Sequence, residues 1–155
     1  MTVDAIAEKQ QMIIPASNIE NKMGLIADVI CLMLDSVVYL PDTLYDIKKS
    51  LVGAIFKDQA LIMVEDGKVV AYVSWAFLSA DIEKKYIKDS NCLDVMDWNS
   101  GNSLWLVDVV APYGNTVQLL NYTKHLAKAI GYKGKTIKFK SYKTADNFQI
   151  REVKL

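Results

Sequence analysis

Histidine and cysteine are scarce in this chain of 155 residues, which has one histidine, His125, and two cysteines, Cys31 and Cys92. A single histidine excludes a multi-histidine metal centre, and the cysteines do not form the CxxC pair of a structural zinc site. A chain of this length can build its own hydrophobic core, which favours free thiols over a disulfide scaffold. We therefore expect no metal site.

Net charge and long hydrophobic runs are also lacking. Eighteen basic residues balance eighteen acidic ones, which argues against a nucleic-acid-binding protein driven by overall positive charge. The most apolar stretch, residues 23–34, is 12 residues long and contains Asp28, whereas a membrane span needs about 20 residues. Residues 1–11 lack the basic and then apolar order of a signal peptide. We expect a cytoplasmic protein.

The neutral total hides an uneven distribution of charge. Residues 131–155 hold seven basic and two acidic residues, a local excess of +5, and the rest of the chain has the opposite excess. Several of these lysines alternate with apolar residues, which predicts a solvated basic face on a strand. Such a face suits either docking of an acidic partner or an ordinary charged sheet edge that discourages aggregation.

Hydrophobic periodicity predicts one domain of α/β (α+β) class, a mixed sheet flanked by helices. Residues 1–16 lack periodicity and form an N-terminal arm, and residues 17–155 form the domain. Capping-box patterns at Ser17–Glu20 and Thr43–Asp46 predict the starts of two helices. Asp66-Gly67 predicts a hairpin turn, and Ser79 and Asn115 cap two further helices. Strands are predicted at residues 60–64, 69–77, 104–110, 136–142 and 148–153.

Asp108 is the first candidate for chemistry. In the strand at residues 104–110 it is expected to share a face with Leu104, Leu106 and Val110. A carboxylate among apolar residues is costly unless it is bonded or lies at a cleft, so it suits either a general base or a bonded strand-end residue. His125 falls on the polar face of its helix, which predicts a solvated surface histidine.

Three tryptophans, Trp75, Trp98 and Trp105, lie in the middle of the chain. Core and loop packing explains such residues, and lining of a groove for an apolar or aromatic substrate is the alternative.

Three linked blocks resemble the RTX toxin-activating lysine acyltransferases. The blocks are residues 70–79 (VAYVSWAFLS), 97–101 (DWNSG) and 105–114 (WLVDVVAPYG). They match the family pattern S-W-x-x-L-S, D-W-x-S-G and W-x-x-D-x-x-A-P-F/Y-G. The clear resemblance covers residues 37–114 and is weak in the first 20 residues and in the basic C-terminal segment.

The resemblance implies a fold like that of the GNAT acetyltransferases. It also implies transfer of a fatty acyl chain from acyl carrier protein to lysines of a protoxin, with no tightly bound cofactor. A histidine and an aspartate form the proposed catalytic pair of the family, and Asp108 occupies the aspartate position. Trp75, Trp105 and Tyr113 lie in the matching blocks and are the expected substrate-binding residues.

The histidine position of the family carries a different residue here. Ungapped alignment back from Trp75 places it at Tyr39, with Ser36 as the alternative if the register slips. A tyrosine with a pKa of about 10 is a poor general base at neutral pH, but it can donate a hydrogen bond to a developing oxyanion.

The missing histidine and the short chain favour a divergent branch, which resembles the acyltransferase-like proteins of siderophore-microcin gene clusters. Those work with a second maturation protein to attach a glucosylated catecholate siderophore to the C-terminus of a microcin precursor. The alternatives are a lysine acyltransferase for an RTX protoxin and a catalytically inactive scaffold. Residues 12–15 of the N-terminal arm either form the protein–protein interface that such a complex needs or pack on the chain's own sheet. Assembly as a homodimer stays open.

Overall fold

The computed structural model describes residues 10–36, 43–144 and 146–155, and its centre is a six-stranded sheet. The strands lie in the sheet in chain order, and neighbours are antiparallel except for β4 and β5, which are parallel. Their bounds are β1 Gln11–Pro15, β2 Ala60–Glu65, β3 Lys68–Leu78, β4 Ser103–Val110, β5 Thr136–Thr144 and β6 Asn147–Lys154.

Helices cover both faces of the sheet, because alternate strand residues are apolar on each side. The helices are α1 Lys22–Leu34, α2 Leu44–Phe56, α3 Ala80–Lys88 and α4 Thr116–Ala127. Buried residues of α1, α2 and α3 share one core with Tyr72 and Trp105, and Leu119 of α4 packs in a second core with Leu104 and Leu106. None of these helices is long and apolar enough to cross a membrane. The mixed α/β class is confirmed.

Most of the predicted local signals form as expected. Thr43 caps α2, where its hydroxyl accepts from the Asp46 amide at 3.2 Å and the Asp46 carboxylate accepts from the Thr43 amide. Asp66 and Gly67 turn the β2–β3 hairpin with positive φ angles. The predicted cap at Ser17 is wrong: Asn21 caps α1 by accepting from the Gly24 amide at 2.9 Å.

The N-terminal arm contributes an edge strand of the sheet. Residues 11–15 pair with β2 in register from Gln11 opposite Glu65 to Pro15 opposite Leu61. Ile13 and Ile14 pack against the two opposite cores. Of the two alternatives for residues 12–15, packing on the chain's own sheet is the one observed. The hydrophobic pattern of the sequence did not reveal this strand, because five residues are too few to show a clear alternation of apolar and polar side chains.

Candidate active site

A β-bulge in β4 turns the side chain of Asp108 toward the face of the sheet that α1, α2 and α3 cover. The β3–β4 register passes from Val73 opposite Val109 to Trp75 opposite Leu106, so two residues of β4 oppose Ser74 alone. The extra residue breaks the alternation of side chains, as a bulge does. Leu104 and Leu106 precede the bulge and pack in the core beneath α4, whereas Asp108 lies at the bulge and lines a cavity on the other face. The expectation that Asp108 shares a face with Leu104 and Leu106 is therefore wrong.

Two serine hydroxyls hold the carboxylate of Asp108, which is only 7% exposed. Ser50 in α2 donates to Oδ2 at 2.5 Å, and Ser74 in β3 donates to the same oxygen at 3.3 Å. The backbone amide of Asp108 donates to Oγ of Ser74 at 3.2 Å. These bonds satisfy part of the acceptor capacity of the buried carboxylate and fix its orientation.

Asp108 lies on the wall of an open cavity of about 400 Å³. The lining includes Ser50 and Ile47 of α2, Tyr86 of α3 and Phe148 of β6. A cavity of this size suits a small ligand or one arm of a larger substrate. Its lining mixes apolar and aromatic side chains with charged ones, the latter being Asp46, Lys49, Lys88, Asp89, Asp108 and Asp146.

The carboxylate of Asp108 contributes to the raised pKa values of two buried tyrosines. Burial raises the pKa of Tyr72 well above its usual value of 10, and the nearby carboxylate of Asp108 raises it further. The same two causes, burial first, raise the pKa of Tyr86. Both phenols therefore stay protonated at neutral pH and provide no competing base next to Asp108.

Lys140 of β5 is buried behind this cavity. Its Nζ donates to the backbone carbonyl of Tyr86 at 2.5 Å and to Oγ of Ser90 at 2.7 Å. The ammonium also lies 4.2 Å from the centre of the Tyr86 ring and 4.6 Å from that of Phe148. Burial lowers the pKa of Lys140 to about 8.

The predicted solvated basic face on β5 is therefore only partly correct. Lys138 and Lys140 both point under α3, where Lys138 pairs with Glu83 at 2.7 Å. Five of the seven basic residues in the segment remain exposed: Lys133, Lys135, Lys143, Arg151 and Lys154.

Three other predicted site residues, Trp75, Trp105 and Tyr113, do not line the cavity beside Asp108. Trp75 lies on the opposite face of the sheet and lines a small apolar cleft beneath α4. Trp105 is fully buried, and its indole N–H donates to Glu83 at 2.8 Å. Tyr113 is 59% exposed and donates to the carboxylate of Asp35. Tyr39 lies outside the described residues.

His125 lies on the exposed side of α4, as predicted. Because α4 packs on the second core, this histidine is on the other side of the sheet from Asp108. Cys31 and Cys92 are free thiols, as expected. Among the described residues, no group of three or more histidine, cysteine, aspartate or glutamate side chains is arranged to hold a metal ion.

The sequence profile of the RTX toxin acyltransferase family matches residues 18–154, nearly the whole chain. The chain belongs to this acyltransferase family. Family membership agrees with the three sequence blocks, and one of those blocks contains Asp108, whose side chain lines the cavity.

Two relatives within this acyltransferase family carry names that state an activity. The chain is 32% identical over 114 residues to the RTX-II toxin-activating lysine-acyltransferase of Actinobacillus pleuropneumoniae, covering 74% of this chain and 69% of that protein. It is 40% identical over 79 residues to the protein-lysine myristoyltransferase of Kingella kingae, covering 51% of this chain and 46% of that protein. The second alignment thus spans less than half of that relative.

Comparison with solved structures shows the fold. The chain is similar to the loading GNATL domain of CurA from Lyngbya majuscula, with a TM-score of 0.54 and 13% identity. The match covers 85% of this chain and 65% of that one. The predicted GNAT-like architecture is therefore confirmed.

Sequence reasoning missed Ser50, Ser74 and Lys140. Ser74 stands in the S-W-x-x-L-S block, a signal that could have marked it. Ser50 and Lys140 stand in no motif, and they approach the site only through the packing of α2 and α3 against the sheet.

Proposed function

We propose that this chain transfers an acyl group from a thioester of acyl carrier protein to a lysine amine of a bacterial toxin protein. The observation that carries the proposal is the carboxylate of Asp108, held by two serines on the wall of an open cavity. The lysine acyltransferase names of the relatives support this class of reaction.

Asp108 serves as the general base in this proposal. In the net reaction an N–C bond forms between the lysine nitrogen and the acyl carbon, and the C–S bond of the thioester breaks. Asp108 takes the proton that the attacking nucleophile releases and returns a proton to the group that departs, so the carboxylate is regenerated. A positioned base of this kind contributes roughly 10²–10⁴-fold to a rate.

The gap between β4 and β5 supports entry of the donor's extended arm beside Asp108. Pairing of these parallel strands runs from Leu104 opposite Ile137 to Leu106 opposite Phe139. β4 continues to Val110 and β5 to Thr144, so the two strands extend beyond their shared ladder. Asp108 of β4 and Tyr142 of β5 lie in these extensions, and both line the cavity.

The exposed basic residues of the C-terminal segment are the proposed docking surface for the acidic carrier. Five basic side chains are exposed there against two acidic ones, Asp146 and Glu152. Interactions between exposed charges weaken with salt, so carrier binding should weaken strongly between 0.05 and about 0.5 M salt. We place the reaction in the cytoplasm, where both free thiols persist.

Mass spectrometry of a reconstituted reaction tests this function. The full chain is incubated with myristoyl-acyl carrier protein and an RTX protoxin, and the protoxin is digested and mapped. An acyl mass on a protoxin lysine, absent without this chain, is the expected result. Failure to acylate the protoxin, with a known family member active in parallel, would overturn the proposal.

A second candidate is maturation of a microcin with a glucosylated catecholate siderophore, in a complex with a second maturation protein. The position of His125 favours it, because the only histidine of the chain cannot pair with Asp108 across the sheet. Charged and aromatic cavity residues such as Lys88, Tyr142 and Phe148 also suit a hydroxylated aromatic group. Siderophore attachment to the precursor in the reconstituted complex, with no acyl transfer from the carrier, would favour this candidate.

A further inference from the structure

The two serines on Oδ2 of Asp108 differ in what else they face. Ser74 is completely buried between strands and is not on the cavity wall. Ser50 is half-buried in α2 and lines the cavity. Both hydroxyls contact the same carboxylate oxygen, at 3.3 and 2.5 Å. Only Ser50 is therefore placed to meet a substrate as well as Asp108.

The hydrogen bond from Ser50 to Asp108 places a base next to the Ser50 hydroxyl. A carboxylate only accepts hydrogen bonds, so the Ser50 proton points at Asp108 and the remaining lone pairs of Oγ point elsewhere. A serine becomes a useful nucleophile when an adjacent base takes its proton during attack. A thioester is a reactive acyl donor, so a carboxylate can serve as that base.

The backbone around Ser50 is held in place. The capping box at Thr43 and Asp46 fixes the start of α2. One turn beyond Ser50, Gly53 packs so closely on the buried indole of Trp98 that a Cβ there would lie 2.1 Å from Nε1. A rigid helix keeps a nucleophile at a constant distance from its base.

We propose that Ser50 is the acyl-carrying nucleophile of this site, a role that rests on the proposed function. Oγ of Ser50 attacks the thioester carbonyl and its proton passes to Asp108. The C–S bond breaks, and Asp108 gives the proton to the thiolate, which leaves a seryl ester and a free carrier thiol. The acceptor amine then attacks the ester, Asp108 takes its proton and returns it to Oγ of Ser50 as the C–O bond breaks.

This route explains how the site works without a histidine beside Asp108. The carboxylate contacts the nucleophilic hydroxyl directly, so no imidazole is needed between them. The acyl group is also held on α2 inside the cavity after the carrier leaves, which frees the space for the acceptor.

Trapping the ester tests the inference. The full chain is mixed with myristoyl-acyl carrier protein without an acceptor, quenched with acid and digested with trypsin. Cleavage after Lys49 and Lys57 releases residues 50–57, SLVGAIFK, in which Ser50 has the only hydroxyl. One myristoyl mass on this peptide, formed faster than turnover and lost when acceptor is added, is the expected result.

Matched variants separate a nucleophile from a positioning residue. Ser50→Ala should lose the adduct and the transfer, whereas Ser50→Cys should form a thioester that neutral hydroxylamine cleaves. Ser74→Ala keeps the cavity-facing hydroxyl but removes one hydrogen bond to Asp108, so it should form the adduct more slowly. Ser17→Ala, which changes an exposed serine that does not line the cavity, is the control and should form the adduct at the wild-type rate. Circular dichroism checks that each variant is folded.

The failure of this inference is distinct from failure of the proposed function. Protoxin acylation by the wild-type chain without an adduct on residues 50–57, or by Ser50→Ala at the wild-type rate, overturns the role of Ser50 alone. Absence of both the adduct and protoxin acylation overturns both proposals.

Discussion

Oγ of Ser50 lies 2.5 Å from Oδ2 of Asp108, although 58 positions separate the two residues in the chain. The contact joins the middle of α2 to the bulge of β4, and both groups line the same cavity. The acid and the hydroxyl are thus presented by two regular elements, which hold side chains more precisely than loops do. The predictions below test this arrangement and the packing that supports it.

Gly53→Ala should destabilise the protein although alanine normally stabilises a helix interior by about 0.5–1 kcal/mol relative to glycine. The added Cβ would lie 2.1 Å from Nε1 of Trp98, which is fully buried and cannot move aside freely. We expect a loss of roughly 1–3 kcal/mol in the free energy of unfolding, measured with urea. A variant more stable than the wild type would show that α2 does not pack on Trp98 in this way.

Glu83→Gln should remove part of the acid sensitivity of the fold. Burial alone would raise the pKa of Glu83, but hydrogen bonds from Lys138, Ser103 and Trp105 outweigh it and lower the pKa. The unfolded carboxylate, with a pKa of about 4.3, then binds more protons than the folded one. The stabilisation is complete above that value and is lost as pH falls through the lower folded pKa.

The measurement for Glu83 is urea unfolding of the wild type and the variant at several pH values from about 7 to 3. The difference in unfolding free energy should be largest near neutral pH and shrink in acid. Glu152→Gln, an exposed change on β6, is the control. A constant difference for Glu83→Gln across this range would contradict the assignment.

Lys140 should titrate near pH 8 in the folded protein, because burial disfavours its charged form. The unfolded lysine titrates near 10.4, so the unfolded chain binds more protons between about pH 8 and 10.4. The contribution of Lys140 to stability therefore rises across that window. NMR of the lysine side-chain resonances, assigned with Lys140→Arg, measures the pKa, and a midpoint near 10.4 would contradict the buried environment.

Much of the fold was predictable because local signals and long-range packing agree. Residues 66 and 67 supply the positive φ of a hairpin, and the Thr43 capping box begins α2, as the sequence indicates. The cap of α1 was not predictable from its pattern, because serine and asparagine are both residue types that cap helices. Ser17 instead lies in a short 3-10 turn, Ala16–Asn18, ahead of α1.

The candidate site was predictable only in part. Asp108 stands out as a carboxylate in an apolar strand, but the bulge that turns it toward α2 depends on pairing with β3 and leaves no mark in β4. Trp75 and Trp105 also stand in blocks that match the family pattern. Trp75 lies on the opposite face of the sheet and Trp105 is buried in the core, so neither lines the cavity. Ser50 and Lys140 reach the site through tertiary packing, which periodicity cannot describe.

Asp108→Asn tests the central claim most directly, because it keeps the size of the side chain and removes the base. The measurement is the rate of acyl transfer from myristoyl-acyl carrier protein to the protoxin, with Asp28→Asn on the exposed side of α1 as the control. The account predicts a loss of about 10²–10⁴-fold for Asp108→Asn and none for the control. A folded Asp108→Asn variant that transfers the acyl group at the wild-type rate would contradict it.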